Sequence, residues 1–433
     1  MNSKSMYVVL ASAAVVALAA GPTAIPAHAQ TRSVTLDEAV TMAIQTQPGM
    51  VQARGQVRNA AASKRQVVGS WLPDLRVSTG MSTNSTRRFD ANTQRTVSGS
   101  STSFSSSLST SLVLFDGFSR LAEGRAASAD LASADASLVN QQFQVILQTK
   151  QAFFNALAAE ELVRVARTSI ERAAEQLKIS KDKLVAGQAT RSDTLRSRVE
   201  LANAQLQELN AETQLATAQA NLARLIGVDG LIRAVGEEHL RNIVELDTTG
   251  LRQESLDRSP VIQQALAAAR AADAQVVVSR AQYFPSLSAS YSRSWAGNSL
   301  TELNPSWSAR LSLSWPLFNR FSRELNYTRS TVTRDAAHAQ AEDARRQVNA
   351  QLTQYLAALE SAQTRVEIAE ASHAAAEEDL RVQRERYRLG AATIVEVLTS
   401  QVSLDQAEID RIQARLDYLV AKAQIEALVG REL

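Results

Sequence analysis

The spacing of apolar and polar positions changes period several times along this chain, and it does so in the same order in two halves. Ser286, Ser288, Ser290, Ser292 and Ser294 alternate with Leu287, Ala289, Tyr291, Arg293 and Trp295. That two-residue period predicts a strand with one polar face. A second strand is expected from Trp307 to Trp315, after a loop containing Gly297, Asn304 and Pro305. The first half carries an equivalent pair, Leu75 to Ser82 and Phe104 to Leu114. Beyond each pair, from Phe118 to about Leu184 and from Phe321 to Leu389, there is no proline and, apart from Gly124, no glycine. Each stretch predicts one helix about 100 Å long at 1.5 Å per residue.

The two halves are copies. Phe115-Asp116-Gly117-Phe118-Ser119-Arg120 returns as Phe318-Asn319-Arg320-Phe321-Ser322-Arg323, and Gly187, Thr190 and Leu225-Ile226-Gly227 return as Gly390, Thr393 and Leu428-Val429-Gly430, all 203 positions on. Upstream, Pro48 and Trp71-Leu72-Pro73 return 212 positions on as Pro260 and Tyr283-Phe284-Pro285, so the first copy holds nine extra residues. These fall in the Ser/Thr/Asn-rich stretch Arg87 to Ser103, which reads as a loop. The expected organisation is a signal peptide over 1–29, a first repeat over 30–230 (strands about 73–82 and 103–115, helical hairpin 118–227), a linker over 231–259 and a second repeat over 260–433 (strands about 285–296 and 306–317, helical hairpin 321–430). The signal peptide rests on Lys4, the apolar run to Ala20 and the small-x-small site Ala27-His28-Ala29.

In the shorter helices the period is about 3.5 residues. Leu195, Val199, Ala202, Leu206 and Leu209, then Leu398, Val402, Ile409, Ile412, Leu416 and Leu419, form an apolar seam interrupted by Asp405. Such a seam is a coiled-coil signature. An antiparallel coiled-coil hairpin explains it as well as a ring of helices does, but leaves the strands unexplained.

Alternating strands often form a soluble sandwich. Here the apolar face ends in Tyr291, Trp295, Trp307 and Trp315, residues suited to the two membrane interfaces and so to contact with outer-membrane lipid. Four strands cannot close a barrel, which requires several subunits.

Composition narrows the chemistry. There is no cysteine, only 4 histidines, and 46 basic against 44 acidic residues. Cys-based metal, redox or thiolate chemistry is excluded, no metal site or cofactor is expected, and nothing marks a nucleic-acid surface. His338 and His373 lie on Ala-rich helical stretches without a nucleophile or base beside them, so the chain does not read as an enzyme.

The order of these features resembles the TolC family of outer-membrane efflux and secretion ducts. The resemblance runs from Leu36-Asp37-Glu38-Ala39 and Pro48, through both Phe-Asp-Gly-like corners, to Ala427-Leu428-Val429-Gly430. It implies a mainly α fold with a transmembrane β part: a homotrimer whose strands form a twelve-stranded β-barrel, continued by a periplasmic α-helical barrel of long coiled-coil helices. It further implies a passive exit duct for multidrug efflux or type I secretion, joined by a periplasmic adaptor (membrane fusion) protein to an inner-membrane RND or ABC pump. A periplasmic coiled-coil adaptor or scaffold is the rival reading.

Two turns then become the candidate tips. Gly187 and Gly390 stand where a helix ends in a left-handed residue. Thr190 and Thr393, each followed three residues on by Asp193 or Glu396, form capping boxes. Adaptor docking by Val185, Gly187, Leu389 and Gly390, and a constriction formed by Asp193, Glu396, Thr399 and Tyr387, follow from the resemblance alone. The family pattern places an acid where Thr399 stands and an arginine where Ala392 stands, so its Tyr–Arg–Asp latch does not carry over whole.

Overall fold

The computed structural model describes residues 32–90, 94–236 and 248–433. The signal-peptide stretch 1–29 and part of the inter-repeat stretch, 237–247, lie outside the described residues.

The first half comprises β1 (Arg32–Val34), α1 (Leu36–Thr46), α2 (Pro48–Gly69), β2 (Asp74–Asp90), β3 (Arg95–Phe115), α3 (Ser119–Val185) and α4 (Arg191–Ile226). After β4 (Ile232–Ala234) and α5 (Thr248–Arg258), the second half repeats the order as α6 (Pro260–Ala281), β5 (Ser286–Ser299), β6 (Glu302–Ser314), α7 (Ser322–Arg388) and α8 (Ile394–Val429). The long helices α3 and α7 have 67 residues each, and α4 and α8 have 36 each.

Local chemistry sets these boundaries twice over. Pro48 and Pro260 open α2 and α6, where the missing N–H costs nothing and the fixed φ suits a helix. The sheet-to-helix corners use Phe118 at φ 68° and Phe321 at φ 62°, left-handed conformations that a side chain rarely adopts. Each ring meets another edge-on, Phe115 at 5.4 Å and Phe318 at 5.5 Å, and these contacts hold the corner. Gly117 at the first corner is close-packed, since an added Cβ would stand 2.5 Å from Phe284 Cβ.

The strands form one antiparallel sheet in the order β2-β3-β5-β6, so the halves join through β3 and β5. Alternation puts Leu75, Thr110, Tyr291 and Ala309 in one cross-strand row of the apolar face, and Val77, Leu108, Arg293 and Trp307 in another. Among the described residues nothing covers this face. Leu75 is 73% exposed and Trp307 72%. Trp315 lies one residue past β6, with its indole N–H donated to Tyr283 O at 3.3 Å.

Two loop expectations are overturned. The first hairpin continues as a paired ladder to Asp90 and Arg95, because Ser and Thr at alternate positions satisfy a strand as readily as a loop. Its rungs include Ser82 Oγ to Ser103 Oγ at 2.8 Å and Thr83 Oγ1 to Thr102 Oγ1 at 3.2 Å. Gly297, Asn304 and Pro305 likewise lie within β5 and β6 rather than in a loop between them. Pro305 sits on β6, an edge strand, where an absent N–H is tolerated.

The helical packing decides which way the apolar seams face. Leu195, Val199, Leu206 and Leu209 are 51–60% exposed, and Ala202, Val402 and Ile409 are exposed too. α4 instead faces α3 with small residues such as Ser197, Ala204 and Ala211, which permit close approach. The two ends of the α8 seam join buried clusters: Leu398 packs against Tyr387, Ile394 and Val397 near the tip, and Leu416 and Leu419 against the cluster around Phe153, Leu222, Ile226 and Ile232. There β1 and β4 pair in parallel, and Lys150 Nζ meets Glu426 Oε2 at 2.7 Å in a buried ion pair between the halves.

Candidate functional site: the helical tips and the sheet

Each long hairpin reverses through the same turn. Gly187 at φ 73° donates its N–H to Leu184 O at 3.1 Å and Gln188 donates to Lys183 O at 2.8 Å. Gly390 at φ 79° repeats this with Tyr387 O at 3.1 Å, and Ala391 with Arg386 O at 2.8 Å. These paired bonds are a Schellman ending, which needs the left-handed residue that glycine supplies. No atom lies within 4 Å of where a Cβ would stand on either glycine, and Val185 and Leu389 beside them are 90% and 83% exposed.

The following helices are capped reciprocally. Thr190 N–H donates to Asp193 Oδ2 at 2.8 Å while Asp193 N–H donates to Thr190 Oγ1 at 3.2 Å. Thr393 N–H donates to Glu396 Oε2 at 2.6 Å, its hydroxyl donates to the same oxygen at 3.0 Å, and Glu396 N–H donates back to Thr393 Oγ1 at 3.4 Å. The bond from the Thr393 backbone, then that from its hydroxyl, hold the Glu396 carboxyl below its ordinary value. Thr399 is exposed one turn further along α8.

Tyr387 is placed differently from these polar groups. It is buried with Leu380, Ile394, Val397 and Leu404, and its hydroxyl has no hydrogen-bond partner among the described residues. Lys183, from the other hairpin, donates to Tyr387 O and sets its ammonium 4.4 Å from the ring centroid. On the outer side of the turn Arg386 Nη2 donates to Ala391 O at 3.1 Å. The structure thus brings Tyr387 to Lys183, and Asp193 and Glu396 each to their own threonine, with no bond joining Tyr387 to either acid. Neither Lys183 nor Arg386 stands out in the sequence; basic residues in a last helical turn are ordinary.

Further up the hairpins lies a polar cluster between the repeats. Asp405 accepts from Ser169 Oγ at 2.7 Å and Arg172 Nη2 at 2.7 Å, while Glu408 accepts from Arg172 Nη1 at 2.9 Å. His373 Nε2 lies 4.0 Å from Glu408. Asp405 is the residue that interrupts the apolar seam, the one sequence signal of this cluster.

Among the described residues no helix is long and apolar enough to cross a membrane, and no group of three or more His, Asp or Glu could hold a metal ion. The family model for outer membrane efflux proteins matches residues 39–228 and 251–431, one segment in each half. The chain belongs to this outer membrane efflux protein family.

Its relatives in the family share little sequence but most of their length. The pyoverdine export outer membrane protein OpmQ of Pseudomonas aeruginosa is 26% identical over 415 residues, covering 91% of this chain and 85% of that protein. The alkaline protease secretion protein AprF of the same species is 24% identical, covering 76% of this chain and 70% of its own. The Campylobacter jejuni CmeC outer membrane channel superposes with a TM-score of 0.77 at 20% identity, over 91% of this chain and 85% of that one. The fold is that of the TolC-like outer membrane factors, and this efflux protein is an outer-membrane exit duct extending into the periplasm.

Proposed function

We propose that three copies of this efflux protein assemble into one passive conduit, a twelve-stranded barrel in the outer membrane continued by a ring of helices through the periplasm. The carrying observation is the sheet: its apolar face is open and, in the single chain, β2 and β6 are unpaired edges. In hydrocarbon each unsatisfied edge group costs several kcal/mol, so the edges must meet those of neighbouring copies. The outward seam of α4 supports the same assembly, offering Leu195, Val199, Leu206 and Leu209 to another helix.

At the far end the tips carry the docking role. Val185, Gly187, Leu389 and Gly390 present an open, mostly apolar surface to a periplasmic adaptor, which links the duct to an inner-membrane RND or ABC pump. Asp193 and Glu396 both cap helices and line the constriction, with Thr399 beside Glu396 and Tyr387 fixing the turn from within. The conduit performs no catalysis. Pyoverdine export and alkaline protease secretion by its relatives leave both small-molecule efflux and type I secretion open to it. Fractionation distinguishes this from a periplasmic adaptor or scaffold: the protein is expected in the outer membrane and released only by detergent, whereas extraction by salt or alkali alone overturns the reading.

A further inference from the structure

We infer that the inner wall of the barrel carries a basic belt that selects anionic solutes, formed where Arg76 of one subunit and Arg310 of the next come together. The inference rests on the trimeric barrel proposed above and adds a class of cargo to it.

The register fixes which side chains face the lumen. Asp74, Ser111, Ser290 and Arg310 form one cross-strand row, and Arg76, Ser109, Ser292 and Ser308 form the next. Both rows lie on the hydroxyl face, opposite Leu75, Tyr291 and Trp307. From there toward the far turns, as far as Thr86, Gly99, Ala296 and Asn304, luminal positions hold only serine, threonine, glycine, alanine or asparagine. Along this stretch the two charged rows stand at the end of the barrel nearer the helices, and the alternation reaches a charged pair again only at the far turn, with Asp90 opposite Arg95.

Sheet order supplies the rest. Arg76 is on β2 and Arg310 on β6, the two edges, so closing the ring puts them on the same seam between adjacent subunits. The only acid in these rows is Asp74. It receives Ser111 N–H at 2.6 Å and Ser111 Oγ at 2.7 Å, and stands 3.9 Å from Arg76 Nη2. Among the described residues Arg310 makes no hydrogen bond or ion pair. Each subunit therefore leaves one positive charge in excess, on a guanidinium whose planar donors fit carboxylate, sulfate or phosphate oxygens. A ring of such charges in a narrow, low-dielectric passage concentrates anions and repels cations. Its sign is opposite to that of the carboxylates at the tips.

The test uses the full-length protein, extracted in detergent and reconstituted in planar bilayers. An Asp193→Asn, Glu396→Gln background removes the tip carboxylates from the selectivity. Under a potassium chloride gradient this background is expected to prefer chloride, and inorganic phosphate is expected to reduce the current. Adding Arg76→Gln and Arg310→Gln should lower the chloride-to-potassium permeability ratio by about threefold or more and abolish the phosphate effect. Arg76→Lys with Arg310→Lys should keep the chloride preference and provides the comparison if the glutamine pair inserts poorly. Conducting trimers whose ratio and phosphate response are the same with glutamine as with arginine overturn the belt and leave the barrel standing. Arg76→Cys and Arg310→Cys, joined between subunits by a short bifunctional maleimide, support the seam. Stable protein that neither cross-links there nor conducts overturns the barrel itself.

Discussion

Arg172 on α3 and Asp405 on α8 meet with Nη2 2.7 Å from Oδ1, joining the two repeats through charges that are largely buried. Glu408 shares the same guanidinium, so one cation serves two carboxylates inside the helical wall. Removing one partner from such a site costs more than never having built it, because the remaining charge is left without water or a counterion. Arg172→Met is therefore expected to destabilise the fold by about 3 kcal/mol. Replacing Arg172, Asp405 and Glu408 together with apolar residues should recover much of that loss in thermal melts.

The same cluster gives a pH dependence of defined sign. Burial is the largest influence on Asp405 and raises its carboxyl above the ordinary 3.8, outweighing the lowering by Ser169 and Arg172. Burial, followed by the charge of Asp405, likewise raises Glu200. A raised carboxyl binds its proton more tightly in the folded state, so its contribution to stability is complete at low pH and is lost as pH climbs through the folded value. Melting curves recorded from pH 3.8 upward should show this decline, and Asp405→Asn should flatten it. An unchanged slope in that variant would assign the decline to other groups.

The duplication, the alternating strands, the long helices and the capped tips were all legible because each depends on short-range pattern. Two loops were misread for a physical reason: serine and threonine are compatible with both a turn and a hydroxyl-faced strand, and only the partner strand decides. The α4 seam fits a contact within the hairpin or with a further helix equally well from sequence; Ala204 and Ala211 make the first contact while Leu206 and Leu209 face out. Large apolar residues at regular spacing reveal that a face will be buried, and by whom is a tertiary matter. Lys183 beneath Tyr387 was invisible in the sequence, since 204 positions separate the two residues.

The extended first hairpin should shorten only in register. Removing Thr86 and Arg87 together with their partners Gly99 and Ser98 keeps every remaining side chain on its face. Removing Thr86 alone reverses the faces beyond it. The paired deletion is expected to leave the detergent-resistant oligomer intact and the single deletion to reduce it, as read on unheated gels.

Bulky residues at the tips should impair export without removing the protein from the membrane. A Cβ added at Gly187 or Gly390 has no neighbour within 4 Å, so the main cost of leucine there is the left-handed backbone, on the order of 1 kcal/mol. Normal outer-membrane amounts with reduced export are expected. Full export by both variants would remove the tips from adaptor docking.

The tip acids separate by ion selectivity. In Asp193→Asn, Glu396→Gln the caps are largely retained, since amide side chains still accept from backbone N–H groups. Loss of cation preference in planar bilayers is the expected result. Wild-type selectivity in that variant would leave capping as their whole role.

The central claim, that an open four-stranded sheet is completed by its own copies, is tested most directly by the mass of the detergent-extracted protein. Native mass spectrometry, with circular dichroism on the same sample, is expected to give a trimer that retains its β-sheet signal. A monomer with that signal intact would contradict the account, because its two sheet edges would then be stable without partners.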